Sequence, residues 1–325
     1  VSDSSASPTT SNAPLPRIAL GTWSWGSGAA GGDQVFGNHL TNDDLKQVFD
    51  AAMSQGLRLW DTALVYGMGA SERALGTLIA DVPRQDVIIS TKFTPQIAGD
   101  GADPVADELA QSEQNLGTTE IDLYWIHNPG DVERWTPLVA RLAAEGKVGR
   151  VGVSNHNLAQ IKRVEEILSA KGVRLSAIQN HYSLLYRSSE DAGLLDYCHD
   201  NGIDFFAYMT LEQGALSGKY DADHLMPADS QRGRTYNPLL PRLGALLETL
   251  RAIAAAHDVA PAQVSVAWAI AKGTIPIIGV TTPTQVDDAA KAVNLTLSTE
   301  EVARLEEAAQ ASGVDTRGSW ESPMA

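Results

Sequence analysis

Positive charge is scarce in this chain. Its 325 residues hold 24 Lys and Arg against 40 Asp and Glu, a formal net charge of −16. A surface that tracks nucleic-acid phosphates or an anionic membrane needs clustered cations, so neither partner is expected. Cysteine is almost missing: the single Cys198 excludes an internal disulfide framework and fits a reducing, cytoplasmic setting. No apolar run reaches the length of a membrane span. The opening "VSDSSASPTTSNAPLP", residues 1–16, has neither the basic nor the apolar region of a signal peptide and reads as a disordered polar tail. Trimming before Val1 is left open. What is plentiful is hydrophobic residues, at 43%, enough for a large core in a single domain over residues 17–325.

Beyond the tail, short apolar runs and helical patterns alternate. The runs are "RIALGT" (17–22), "LRLWDT" (57–62), "VIISTK" (87–92), "IDLYWIH" (121–127), "RVGVSN" (150–155), "SAIQNHY" (176–182), "IDFFAYM" (203–209) and "TIPIIGV" (274–280). Helical patterns such as 41–56, 103–117, 136–147, 157–172 and 191–202 lie between them, several closed by glycine. Eight strand candidates with intervening helices predict an α/β fold, a (β/α)8 TIM barrel. An open doubly wound sheet is the alternative. The stretch "GSGAAG" (26–31) satisfies G-x-G-x-x-G, with Asp50 further on, but a dinucleotide fingerprint needs its third glycine in an opening helix. Here the next helix is expected only from Thr41, so 26–31 reads as a flexible loop. The longest interruption is 210–240, a length that is uncommon unless the loop is functional or disordered.

In a parallel barrel, chemistry collects at the C-terminal ends of the strands. Asp61 ends the second candidate strand, Lys92 the third and His127 the fourth, with Tyr66 in the loop just past Asp61. Each has an ordinary reading as cap, solvated cation or hydrogen-bonded ring. Together they match one chemistry, proton donation by a phenol. A tyrosine pKa of about 10 is high for an acid near neutrality. A neighbouring ammonium favours phenolate and lowers that value, and an Asp–Lys pair keeps the ammonium charged and fixed. An imidazole beside them can meet the substrate oxygen. Reduction of a carbonyl, whose oxygen gathers charge as hydride arrives at carbon, needs this set.

At these residues the chain resembles the aldo-keto reductases, over about residues 16–312, with "LRLWDTA" and "SERALG" similar to the family signature. The resemblance implies that Asp61, Tyr66, Lys92 and His127 form the catalytic tetrad, and that NADP(H) reduces an aldehyde or ketone without a metal. It places Gly21, Thr22 and Trp23 near the cofactor, Ser154, Asn155 and Gln179 at the nicotinamide amide, and Tyr208 against its ring. Leu211, Gln213, Leu216, Ser217 and Lys219 match the loop around the pyrophosphate, and Gly279, Val280, Thr281, Gln285 and Asp288 the segment around the adenosine phosphate. Tyr208 has a second reading as core, and Ser154–Asn155 as a helix cap. Trp23, Trp25 and Asn128 are expected to wall the substrate pocket, with core packing the alternative for the tryptophans. Lys219, Arg232 and Arg234 gather positive charge in the long loop, where they are expected to meet the NADPH 2′-phosphate; a solvated loop tip is the other reading. "YMT" (208–210) departs from the family's "YSP", and Ala289 replaces an asparagine near adenine.

Two rival functions remain at this point. One is a nucleotide-sensing interaction subunit like the potassium-channel β-subunits, which share the "GALSGKY"-type loop. The other is a glycosidase, which needs a second strand-end carboxylate that Asp61 lacks. A small carbonyl substrate is the expected partner, its identity and the oligomeric state being unreadable.

Overall fold

Eight short parallel strands close on themselves in the computed structural model, which describes residues 13–324. They are β1 (Ala19–Gly21), β2 (Leu59–Asp61), β3 (Ile88–Phe93), β4 (Ile121–Ile126), β5 (Val148–Ser154), β6 (Leu175–His181), β7 (Asp204–Tyr208) and β8 (Ile275–Gly279). Each pairs with its sequence neighbour, and β1 closes the ring on β8 with Ala19 opposite Ile277. The fold is the expected (β/α)8 barrel. Of the polar tail expected over 1–16, residues 1–12 lie outside the described residues. Leu15 is packed against the cluster that fills the barrel, so the ordered chain starts before residue 17.

Side chains alternate across each strand with a period of two, and that alternation decides what fills the barrel and what faces the helices. Ala19, Leu59, Leu123, Trp125, Ala177 and Phe206 form the interior layer, where Trp125 meets Phe206 edge-on at 5.2 Å between ring centroids. Their neighbours Leu20, Trp60, Ile89, Tyr124, Ile126 and Ile178 turn outward into the larger core beneath the helices. Gly152 makes room for the Trp125 indole, since a β-carbon there would fall 2.2 Å from the ring. Full burial of such side chains contributes about 1.5–3 kcal/mol each, so this layer is a firm floor. Continued two residues further, the same inward parity sends Asp61, His127 and Gln179 upward from that floor, with Ser90, Lys92 and Ser154 at the inward positions of β3 and β5.

Helices are set by local chemistry. Thr41, Asn157 and Ser298 each form a capping box at the start of Asn42–Ser54, Leu158–Ser169 and Thr299–Ser312. Two short helices appear where loops were expected, Gly32–Phe36 and Gln231–Tyr236. The first follows "GSGAAG", and Gly32 sits so close to Ser24 that a β-carbon would land 2.0 Å from its carbonyl oxygen. The stretch 26–31 is itself a loop of turns, as expected, and Gly32 leads it tightly into the short helix. Asp50 lies mid-helix and pairs with Lys46 at 2.8 Å on the exposed face, which rules out the dinucleotide-fingerprint reading. No helix among the described residues is long and apolar enough to cross a membrane.

Candidate active site

Asp61 and Lys92 meet at 2.6 Å, both buried, at the ends of β2 and β3. Asp61 Oδ1 also accepts from Ser90 Oγ at 2.7 Å and from Gln179 Nε2 at 3.2 Å, while the Trp125 indole donates to Ser90 Oγ at 2.6 Å. The floor thus orients the acid, and the acid orients the base. Lys92 Nζ donates further to the Thr62 carbonyl at 2.7 Å and to the Tyr66 hydroxyl at 3.4 Å. An ammonium has three N–H donors, and all three are used. Asp61 and Tyr66 outweigh the opposing effect of burial and hold the Lys92 ammonium above its ordinary value.

Tyr66 is half-buried and reaches a cavity of about 960 Å³. Its ring lies against Trp23 at 6.0 Å and edge-on to His127 at 5.8 Å. Burial pushes its hydroxyl above the ordinary phenol value, and Lys92 pulls down without cancelling that push. The sequence reading expected a lowered value; desolvation is the stronger effect here. His127 is held well below the ordinary imidazole value, first by burial and then by Lys92, so its ring is neutral. Thr94 Oγ1 bonds its Nδ1 at 3.0 Å. The cavity runs on from Tyr66 and His127 to Gln285 and Asp288 beside β8.

Four buried polar atoms of residues in the cavity wall have no protein partner among the described residues: Ser24 Oγ, Gln213 Oε1, Gln263 Oε1 and Arg232 Nε. Buried polar atoms are rarely left so, and the same wall carries Ser217, Lys219 and Arg232, a hydroxyl and two cations that fit a long, polar, phosphorylated ligand. No group of His, Cys, Asp and Glu among the described residues is arranged to hold a metal ion.

A model of the aldo/keto reductase family matches residues 17–310. The chain belongs to the aldo-keto reductase family. It is an oxidoreductase of a family that uses nicotinamide cofactors. Over 311 residues it is 30% identical to the chloroplastic pyridoxal reductase of Arabidopsis thaliana, covering 91% of this chain and 83% of that protein. It is 28% identical to the NADH-specific methylglyoxal reductase of Escherichia coli, covering 93% and 97%. Among solved structures, an aldo/keto reductase from Klebsiella pneumoniae in complex with NADP and acetate matches with a TM-score of 0.70 at 25% identity, covering 95% of each chain.

In this aldo-keto reductase, Gly21, Trp23, Asn128, Ser154, Asn155, Gln179, Tyr208, Leu211, Gln213, Ser217, Lys219, Arg232, Gly279, Thr281, Gln285 and Asp288 all border the one cavity with Tyr66 and His127. Five of the expected cofactor and substrate residues do not, and Lys92 lies buried behind Tyr66. Trp25 is fully buried against Trp60 at 5.4 Å and donates to the Val280 carbonyl at 2.7 Å, which makes it core and not pocket wall. Leu216 and Val280 are themselves fully buried core. Thr22 is spent on the Asp61 carbonyl and Ser71. Arg234 turns to the Asp229 carbonyl at 2.6 Å, because residues two apart on a helix point about 200° from each other and Arg232 takes the inner face.

Other bordering residues carried no local signal. Phe36 packs edge-on to Trp23 at 5.2 Å from the short helix, and Gln96 accepts from Asn128 at 3.1 Å. Gln263 donates to Asp288 at 2.7 Å. Trp320 comes from the C-terminal segment and donates to the Tyr208 hydroxyl at 3.3 Å. Gln285 turns back onto Thr281, accepting from its N–H at 2.7 Å.

Proposed function

We propose that the protein reduces the carbonyl group of a small aldehyde or ketone with NADP(H), Tyr66 giving the proton. The observation that carries this reading is the use of Lys92: the Tyr66 oxygen accepts from it, and no protein acceptor among the described residues takes the hydroxyl's own hydrogen. That hydrogen is left for a substrate oxygen. Hydride for the carbonyl carbon would come from a nicotinamide held in the cavity. As the Tyr66 proton leaves for the carbonyl oxygen, Lys92 meets the charge left on the phenolate, and Asp61 keeps Lys92 in place. Neutral His127 bonds Thr94 Oγ1 through Nδ1; with Thr94 as the donor, the ring hydrogen is on Nε2, from which it would meet the same carbonyl oxygen.

The cofactor residues follow from the family resemblance and from their places in the cavity wall. Ser154, Asn155, Gln179 and Tyr208 serve the nicotinamide end, Leu211, Gln213, Ser217, Lys219 and Arg232 the phosphates, and Gly279, Thr281, Gln285 and Asp288 the adenosine. A preference for NADPH rests on Lys219 and Arg232 alone, since Arg234 is turned away. At the substrate end Trp23, Phe36 and Trp320 supply apolar walls and Gln96 and Asn128 polar contacts, which suits an uncharged carbonyl compound carrying a ring or hydroxyl groups. The test is dinucleotide oxidation with a panel of aldehydes and ketones, pyridoxal and methylglyoxal included. Stoichiometric alcohol formation supports the reading. Dinucleotide binding without turnover on any carbonyl contradicts it and favours a sensor.

A further inference from the structure

The C-terminal segment is tied to the cavity by a second buried charge cluster. Protonated His181, at the end of β6, lies between two carboxylates: Nε2 meets Glu212 at 2.8 Å and Nδ1 meets Glu321 at 2.7 Å, with all three side chains fully enclosed. The ring also packs on Tyr186 at 4.4 Å and Tyr208 at 5.5 Å. Glu212 further accepts from Tyr236 at 2.7 Å, from Thr316 at 2.9 Å and from Ser183. Glu321 accepts from the Gly318 N–H at 2.8 Å and stands 2.8 Å from the Tyr208 hydroxyl. The two carboxylates push the His181 pKa up to about 9 against the opposing effect of burial, so the imidazolium persists at neutral pH and holds Glu321.

Tyr208 has one hydroxyl hydrogen and two acceptors in reach, Glu321 Oε1 and, at 2.6 Å, Asn155 Oδ1. The Asn155 amide group is turned away, donating to the His127 carbonyl and to Asn128 Oδ1, each at 3.0 Å. Asn155 Oδ1 is the nearer acceptor and Glu321 the charged, stronger one, so the two compete for that hydrogen. With the hydrogen on Glu321, Asn155 Oδ1, on a residue of the cavity wall, is left without a donor.

We propose that Glu321 is a positioning residue: by accepting the Tyr208 hydroxyl hydrogen it keeps Asn155 Oδ1 open to an amide N–H of the bound dinucleotide. The inference rests on the reading that Asn155 meets the nicotinamide carboxamide. Without Glu321, Tyr208 gives its hydrogen to Asn155 and blocks that contact. The His181 pair supplies the fixed geometry that makes the competition one-sided.

The experiment is equilibrium binding of NADPH, NADH and the 3-acetylpyridine analogue of NADH, which has no carboxamide N–H, to the full chain. Glu321→Ala should weaken the two natural dinucleotides about tenfold, the scale of one hydrogen bond, and leave the analogue unchanged. Adding Tyr208→Phe removes the competing hydrogen and should restore the natural dinucleotides in the Glu321→Ala background. Glu321→Gln, a neutral acceptor, should fall between. Equal weakening of all three ligands, no weakening, or no restoration by Tyr208→Phe would overturn the proposal while leaving the site reading intact. Wild-type protein that binds none of them would overturn both.

Discussion

Two buried charge clusters each end on the hydroxyl of a tyrosine that lines the same cavity. In the first, Asp61 and Lys92 present a cation to Tyr66; in the second, Glu212, His181 and Glu321 present an anion to Tyr208. The polarity sets the job. A cation beside a phenol leaves the phenol's hydrogen unclaimed and stabilises the charge that appears when it leaves. An anion beside a phenol claims the hydrogen and fixes the ring. On the proposed reading, one hydroxyl is built to lose its proton and the other to keep it. Burial pushes both hydroxyls above the ordinary phenol value, but Glu321 adds to the rise at Tyr208 where Lys92 opposes it at Tyr66.

The largest break in this comparison comes from Lys92→Met. It strands Asp61 as an unpaired buried charge, which costs about 3–5 kcal/mol of stability, and it removes the charge that answers phenolate. Denaturant unfolding should show that loss, and turnover should collapse in whatever folds. A Lys92→Met protein with wild-type stability and turnover would dissolve the first cluster as described.

The second cluster is best sharpened by pH. The folded-state pKa of His181 lies at about 9 against an ordinary value of about 6.5. Its contribution is therefore fully present below about 6.5 and is lost as pH rises through about 9, amounting to a few kcal/mol at about 1.4 kcal/mol per unit. Thermal midpoints measured from pH 6.5 to 9 should fall in wild type and fall less in Glu321→Gln; a flat wild-type profile contradicts the ion pair. His127, already neutral, should add no step in kcat near pH 6.5.

The smallest effect concerns the loop cations outside both clusters. Arg232→Ala should weaken dinucleotide binding about tenfold, since hydrogen bonds to charged groups contribute about 1.5–3 kcal/mol. Arg234→Ala should change nothing measurable in the same titration. Equal losses would return Arg234 to the cavity.

The two clusters also differ in how far the sequence reveals them. Asp61, Lys92 and His127 end successive strands whose apolar alternation is plain, and strand parity carries them inward. Tyr66 follows within the same short loop. His181 and Glu321 are 140 residues apart, and nothing local in "IQNHY" or "SWESP" points to the other. Only the folded path of the C-terminal segment joins them. Parity also fails outside strands: Trp23 and Trp25 share a spacing of two, yet they sit in a turn, and one lines the cavity while the other enters the core with Trp60. The helix Gln231–Tyr236 was unread because a six-residue helix leaves too short a pattern, and that helix is what separates Arg232 from Arg234.

The most direct test of the opposed roles is to measure turnover and dinucleotide affinity in Tyr66→Phe beside Glu321→Ala. Tyr66→Phe should lose about 10²–10⁴-fold in kcat, the usual worth of a general acid, with dinucleotide affinity close to wild type. Glu321→Ala should show its loss in dinucleotide affinity, with kcat at saturation affected far less. A Tyr66→Phe enzyme that keeps half its kcat, or that loses affinity in place of turnover, would contradict the assignment of Tyr66 as the proton donor.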